Sequence, residues 1–114
     1  MKERDKDILE HIVKYCNDIA EIIAEYDDTL ETLRAKKAFR HSVSMCIFQI
    51  GELAKHLTTE FRNANSHIAW KKIIKMREIA AHHYEKFDIE TVHDVIIDNI
   101  PELRGYCQKL LDNA

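Results

Sequence analysis

Arg77, His82 and Tyr84 fall within the single stretch Arg77-Glu78-Ile79-Ala80-Ala81-His82-His83-Tyr84. A guanidinium keeps its charge at any physiological pH, and its planar fork matches the oxygens of a phosphate. An imidazole titrates at about 6.5, so it can take a proton at neutrality. These are the two side chains that RNA cleavage without a metal needs most. RNA brings its own nucleophile, the ribose 2′-hydroxyl. A neutral histidine can accept that proton while an arginine stabilises the charge that builds on the non-bridging oxygens. The products would be a 2′,3′-cyclic phosphate and a 5′-hydroxyl. Tyr84 adds a phenol that could be modified. An adenylyl group there would set a phosphate beside Arg77 and His82, neutralise them and block the substrate.

Each residue also has a plain structural reading. His82 could cap the C-terminus of a helix, where the dipole favours a cationic ring. Arg77 could pair with a glutamate, and Tyr84 could be a packing tyrosine whose ring stacks on Arg77. The net charge of −3 argues against a broad nucleic-acid-binding surface. The charge is nonetheless uneven. Lys71, Lys72, Lys75 and Lys86 surround the motif, opposed by Glu78 and Glu85. Lys71, Lys75 and His83 are therefore candidate phosphate contacts, and a solvated helix face is the alternative.

The elements that must position these groups are helical. With 114 residues the chain is expected to form one domain over 1–114. Two glycines and one proline leave little turn punctuation, which points to a few long helices. Ile8, Ile12, Cys16, Ile19, Ile23 and Tyr26 form one apolar stripe, predicting a first helix over Arg4 to Tyr26. Asp27-Asp28-Thr29 breaks it, with Asp28 or Thr29 as the next cap. A second helix is expected from Leu30 to Leu57, with Leu30 to Lys37 as a potential separate leading segment. Its seam is Phe39, Val43, Cys46, Ile50, Leu53 and Leu57. Gly51 lies within this seam, where a glycine costs roughly 1 kcal/mol against alanine; a close helix–helix approach would explain it. Thr58 to Ile68 is the least periodic stretch, and Phe61-Arg62-Asn63-Ala64-Asn65-Ser66 reads as a connector that could hold one helical turn. A third helix runs from Ala69 or Trp70 to about Tyr84, with Trp70, Ile73, Ile74, Met76, Ile79 and Ala80 toward the core. Glu85-Lys86-Phe87 forms a turn, and Asp88 caps a fourth helix through Val92, Val95, Ile96 and Asn99. Pro101 kinks that helix or starts a fifth segment with Leu103, Tyr106, Leu110 and Leu111. The expected architecture is an all-α, up-and-down bundle of four to five helices.

Helical geometry constrains the motif. Arg77 and Tyr84 share a face within about 20°, but His82 lies about 140° around the axis from Arg77. A loosened last turn, or a second copy of the motif across a dimer axis, could bring them together.

Other chemistries find little support. No two of the seven histidines stand four apart, the spacing of a paired helical metal site, so neither a metal nor a cofactor is expected. No phosphate loop, dinucleotide fingerprint or Ser-His-Asp order is present. No run of about 18 apolar residues would span a membrane. The charged start Met1-Lys2-Glu3-Arg4-Asp5-Lys6-Asp7 lacks a signal core, so the cytoplasm is the expected location. Cys16, Cys46 and Cys107 form no CxxC pair and sit among apolar neighbours, as reduced core residues would.

A family resemblance covers nearly the whole chain. It is carried by Ile50-Gly51-Glu52-Leu53-Ala54-Lys55, Phe61-Arg62, Ile68-Ala69-Trp70-Lys71-Lys72-Ile73-Ile74, Met76-Arg77 through His82-His83-Tyr84, and Ile100-Pro101-Glu102-Leu103. In order and spacing these blocks resemble the HepT-type branch of the HEPN superfamily, with Arg-x4-His-x-Tyr falling on Arg77, His82 and Tyr84. The resemblance implies a homodimeric all-α HEPN bundle, or a larger assembly of such dimers, with the motifs in a shared cleft. It implies a metal-independent endoribonuclease, the toxin of a type VII toxin–antitoxin module, acting on RNA. It further implies a partner, an MntA-like minimal nucleotidyltransferase that uses ATP to adenylylate Tyr84. Glu78 departs from the small polar residue usual after the motif arginine, and an acid there could pair with Arg77 or repel a phosphate. The alternative is a non-catalytic dimeric helical partner that docks a nucleotidyltransferase or a nucleotide.

Overall fold

The apolar stripe of the first helix sets the frame. In the computed structural model, which describes residues 1–82 and 89–114 and the side chains of all of these but 79–82, α1 spans Glu3–Tyr26. It carries Leu9, Ile12, Val13, Cys16 and Ile19 into the core. The helix stops at Asp27, whose φ of 78° lies in the left-handed region. Its carboxylate accepts a hydrogen bond from the Asp28 N–H at 2.8 Å. Thr29 then caps α2 (Leu30–Ala35), its hydroxyl accepting from the Thr32 N–H at 3.1 Å.

Of the two readings for Leu30 to Leu57, one long helix or a separate leading segment followed by a longer helix, the structure has the second. The chain is extended at Lys36, and α3 spans Lys37–Lys55. Arg40 stabilises the break. Its Nη1 donates to the carbonyls of Leu33, at 3.1 Å, and of Arg34, which α2 leaves without helical partners. Leu33 is fully buried, and the Tyr26 and Phe39 rings stack with centroids 5.2 Å apart, so the corner is packed as well as capped.

The connector contains α4 (Thr59–Ala64), capped by the Thr58 hydroxyl through the Phe61 N–H. Asp5, only 1% exposed, reaches this cap from the start of α1. Its carboxylate accepts from the Thr58 N–H at 2.8 Å and the Thr58 hydroxyl at 2.7 Å. Burying that charge is tolerable because both bonds are short and charge-assisted. Trp70 opens α5 (Trp70–His82) and anchors it to the connector, its indole N–H donating to the Asn65 carbonyl at 3.1 Å. Along α5 Trp70, Ile73 and Met76 are buried as expected, while Ile74 is only half-buried.

The last third is one helical run in three parts: α6 (Ile89–Asp94), a π-helical turn over Val95–Asn99, and α7 (Ile100–Asp112). Pro101 accounts for the wide turn. It has no N–H to donate, and in a regular α-helix its ring would press on the carbonyl four residues back, that of Ile97. Instead the Ile100 N–H bonds to the Val95 carbonyl and the run continues. Of the two expectations at Pro101, a kink or a new segment, the second describes α7, which begins at Ile100 with Pro101 in its first turn and joins α6 through the π-helical turn. The turn expected at Glu85-Lys86-Phe87 and the cap at Asp88 lie outside the described residues.

The four long helices form an all-α bundle in the order α5, α3, α1, α7, with α3 packed along both α1 and α5. The short helices occupy the connections. Cys16, Cys46 and Cys107 are buried free thiols from α1, α3 and α7. Burial pushes Cys16 and Cys107 up to about 12 and Cys46 up to about 11. Among the described residues no helix is long and apolar enough to cross a membrane.

Candidate functional site

The site is built where α3 and α5 close on each other. A Cβ added to Gly51 would stand 2.6 Å from the Cβ of Arg77, 3.1 Å from its N and 3.2 Å from its Cα. The mid-helix glycine expected to mark a close approach does so, and what approaches is the backbone of the motif arginine itself.

That contact fixes where the Arg77 side chain begins, and an ion pair fixes where it ends. Nη1 donates to Oε1 of Glu52 at 2.7 Å. The Arg77 side chain is 23% exposed and that of Glu52 30%, so both are partly shielded from water. Glu78, the acid next to Arg77 in sequence, is a lesser neighbour. Its Oε1 stands 4.0 Å from Nη2 on a side chain that is 56% exposed. Nε is buried without a hydrogen-bond partner. Sequence reasoning pointed to Glu78 and missed Glu52, which lies far away in the chain. The available signal was Gly51: a glycine that admits a neighbouring helix also brings that helix to the residue beside it.

The rest of the motif is placed by its backbone. α5 is continuous from Trp70 through His82, so a loosened turn does not bring position 82 round to Arg77. The two positions stay about 140° apart on the helix. Lys71 and Lys75 are exposed. Their register puts them about 120° and about 160° from Arg77, on either side of position 82. Lys71 and Lys75 thus share the side of α5 that bears position 82 rather than the side that bears Arg77. The side chain of His82, and His83, Tyr84, Glu85 and Lys86 altogether, lie outside the described residues.

Arg77 and Glu52 also sit at the end of a distinctive face of α3. His41, Met45, Phe48 and Glu52 recur at steps of four and three and so share one side of the helix. Met45 is 59% exposed, although large apolar side chains among the described residues are otherwise mostly covered. Among the described residues no cluster of three or more His, Cys, Asp or Glu side chains is placed to hold a metal ion.

An all-α bundle whose second and third long helices meet at a partly buried arginine, followed by histidine and tyrosine at fixed intervals, is the arrangement of a HEPN-type domain. The chain belongs to the Ribonuclease HepT-like family, whose sequence profile matches residues 8–110. It is 30% identical over 105 residues to a provisionally named RNase of Caldanaerobacter subterraneus subsp. tengcongensis, covering 90% of each chain. A provisionally named RNase of Methanocaldococcus jannaschii is 30% identical over 112 residues, 97% of this chain and 95% of the relative. The probable ribonuclease HepT of Thermococcus cleftensis is 28% identical over 110 residues, 96% of this chain and 98% of the relative. No solved structure matches the chain.

Proposed function

We propose that this single-domain chain is a metal-independent endoribonuclease and the toxin of a cytoplasmic toxin–antitoxin pair, with Arg77 and His82 as its catalytic residues. The family and the names of the relatives support ribonuclease chemistry. The observation that carries the assignment to residues is Arg77, a guanidinium held by one short contact at the α3–α5 junction on the helix that also bears His82. In the reaction His82 accepts the proton of the ribose 2′-hydroxyl. The 2′-oxygen attacks phosphorus and the bond to the 5′-oxygen breaks. That oxygen leaves as a hydroxyl after protonation, and Arg77 stabilises the charge on the non-bridging oxygens.

The active form is a homodimer. On one continuous helix Arg77 and position 82 face different ways, and a two-fold axis places the same patch of both copies together. The α3 face with exposed Met45 ends at Glu52 and Arg77, which makes it the surface to bury. Lys71, Lys75 and His83 then contribute phosphate contacts along the RNA. A cognate nucleotidyltransferase adenylylates Tyr84 and silences the site, its phosphate falling among cationic groups.

The test uses purified protein, labelled RNA and EDTA. Cleavage leaving 2′,3′-cyclic phosphate ends, abolished by Arg77→Ala and by His82→Ala, is expected. Cleavage that persists in both variants overturns the assignment. The two carboxylates near Arg77 favour a second reading, a non-catalytic dimer that docks a nucleotidyltransferase or a nucleotide. Stable binding to that partner with no cleavage at any protein concentration would establish it.

A further inference from the structure

We infer that Glu52 is a positioning residue that holds the Arg77 guanidinium in its working orientation, an inference that rests on the ribonuclease reading above. An arginine side chain has four rotatable bonds, and ordering it costs up to about 2 kcal/mol. Here the order is built in before any substrate arrives. Gly51 lets the Arg77 backbone seat directly on α3, with 2.6 Å between the Arg77 Cβ and the place a Gly51 Cβ would occupy. One residue further along α3, Glu52 accepts from Nη1 at 2.7 Å. The root and the tip of the side chain are therefore fixed by consecutive residues of one rigid helix.

Among the described residues the contact uses only one of the guanidinium's hydrogen-bond donors. Of its five N–H donors, one goes to Glu52 and the Nε–H is buried without a partner. The other Nη1 hydrogen and both Nη2 hydrogens make no hydrogen bond to any described residue. Glu78, at 4.0 Å and more than half exposed, contributes little to the alignment because water screens it. A single short carboxylate contact on Nη1, with only the longer Glu78 contact at Nη2 among the described residues, suits an anchor. A carboxylate that competed with substrate would take the bidentate face that a phosphate needs.

The experiment compares Glu52→Gln with Glu52→Ala in the full chain. The glutamine oxygen can still accept from Nη1, so its kcat is expected within several-fold of the parent. Alanine removes the anchor, and kcat is expected to fall on the order of 10²-fold with KM little changed, the scale at which misplaced catalytic groups act. Phosphorothioate RNA separates positioning from mere loss of fold. The parent's preference between the two diastereomers at phosphorus should survive in Glu52→Gln and collapse in Glu52→Ala, whereas a smaller folded fraction slows both diastereomers equally. Equal kcat in Glu52→Ala and the parent overturns the inference. Faster cleavage by Glu52→Ala also overturns it, making Glu52 a lock on the arginine, and so does an equal loss in both variants. If the parent is inert toward RNA, the ribonuclease reading falls on its own. The anchor is then decided by nitrogen-15 NMR of the Arg77 guanidinium: separate Nη signals in the parent that coalesce in Glu52→Ala support it, and unchanged signals overturn it.

Discussion

Gly51 and Arg77 face each other across α3 and α5 at a distance that leaves no room for a Cβ on the glycine. The atom it would strike is the Arg77 Cβ, which moves only with the helix that bears it. Gly51→Ala should gain roughly 1 kcal/mol of helix propensity and lose more to overpacking, which typically costs 1–3 kcal/mol. The expected net result is a lower urea midpoint. RNA cleavage should fall further than stability does, because the strain falls on the arginine's own backbone. Parallel urea titrations and cleavage assays check this.

A trans-assembled site makes a sharp prediction about mixtures. Arg77→Ala and His82→Ala homodimers should each be inactive. Mixed and refolded together, they should recover activity, because each heterodimer contains one cleft with an intact arginine and an intact histidine. Random pairing of equal amounts restores about a quarter of the parent's sites. A mixture that stays inactive would show that each site uses residues of a single copy.

How legible was this in the sequence? The long helices were, because α1 and α3 keep an apolar residue every third or fourth position. The division at Lys36 stood as one of two readings, and the sequence alone does not decide it because the interaction that stabilises it is a side chain-to-carbonyl contact made by Arg40 from the next helix. Gly51 announced a close approach without saying to what. Glu52 escaped because ion pairs between helices obey no spacing rule, whereas Glu78 drew attention merely by adjacency. Asp5 looked like one more charge in a polar N-terminus, and only the fold reveals that it holds the cap residue of a helix more than fifty residues away.

That long-range cap should be among the costliest polar pairs to disturb. Asp5→Ala removes a charged acceptor of two hydrogen bonds and should cost about 2–3 kcal/mol. Thr58→Ala should be at least as damaging, since it deletes the α4 cap and strips the buried carboxylate of one donor. The two changes should be strongly non-additive in a double-mutant cycle, a quantity that chemical denaturation reads directly.

At Asp27 a side chain sits where glycine is at ease, with φ at 78°. Strain of this kind costs on the order of 1–3 kcal/mol, offset in part by the bond from Asp28 to the Asp27 carboxylate. Asp27→Gly should therefore raise the melting temperature slightly. A fall would mean that the lost hydrogen bond outweighs the relieved strain.

The buried thiols give stability an alkaline limit. Cys16 and Cys107 are pushed from 9.0 up to about 12 by burial. Their contribution is complete below pH 9, where both states are protonated. It declines from pH 9 toward 12 as the unfolded chain ionises first. At pH 10 each thiol accounts for a loss of about 1.4 kcal/mol relative to pH 8. Replacing both by alanine should flatten that part of the stability profile, even though the variant starts from a less stable fold.

Trp70 is the only tryptophan in the chain, and it is 5% exposed at the first residue of the helix that carries Arg77. It lies two helical turns, about 10 Å, before that arginine. The protein therefore contains its own optical reporter on the helix of interest. Indole emission responds to solvation and to the hydrogen bond made by its N–H, so changes in the seating of α5 can be followed by intrinsic fluorescence without attaching a label.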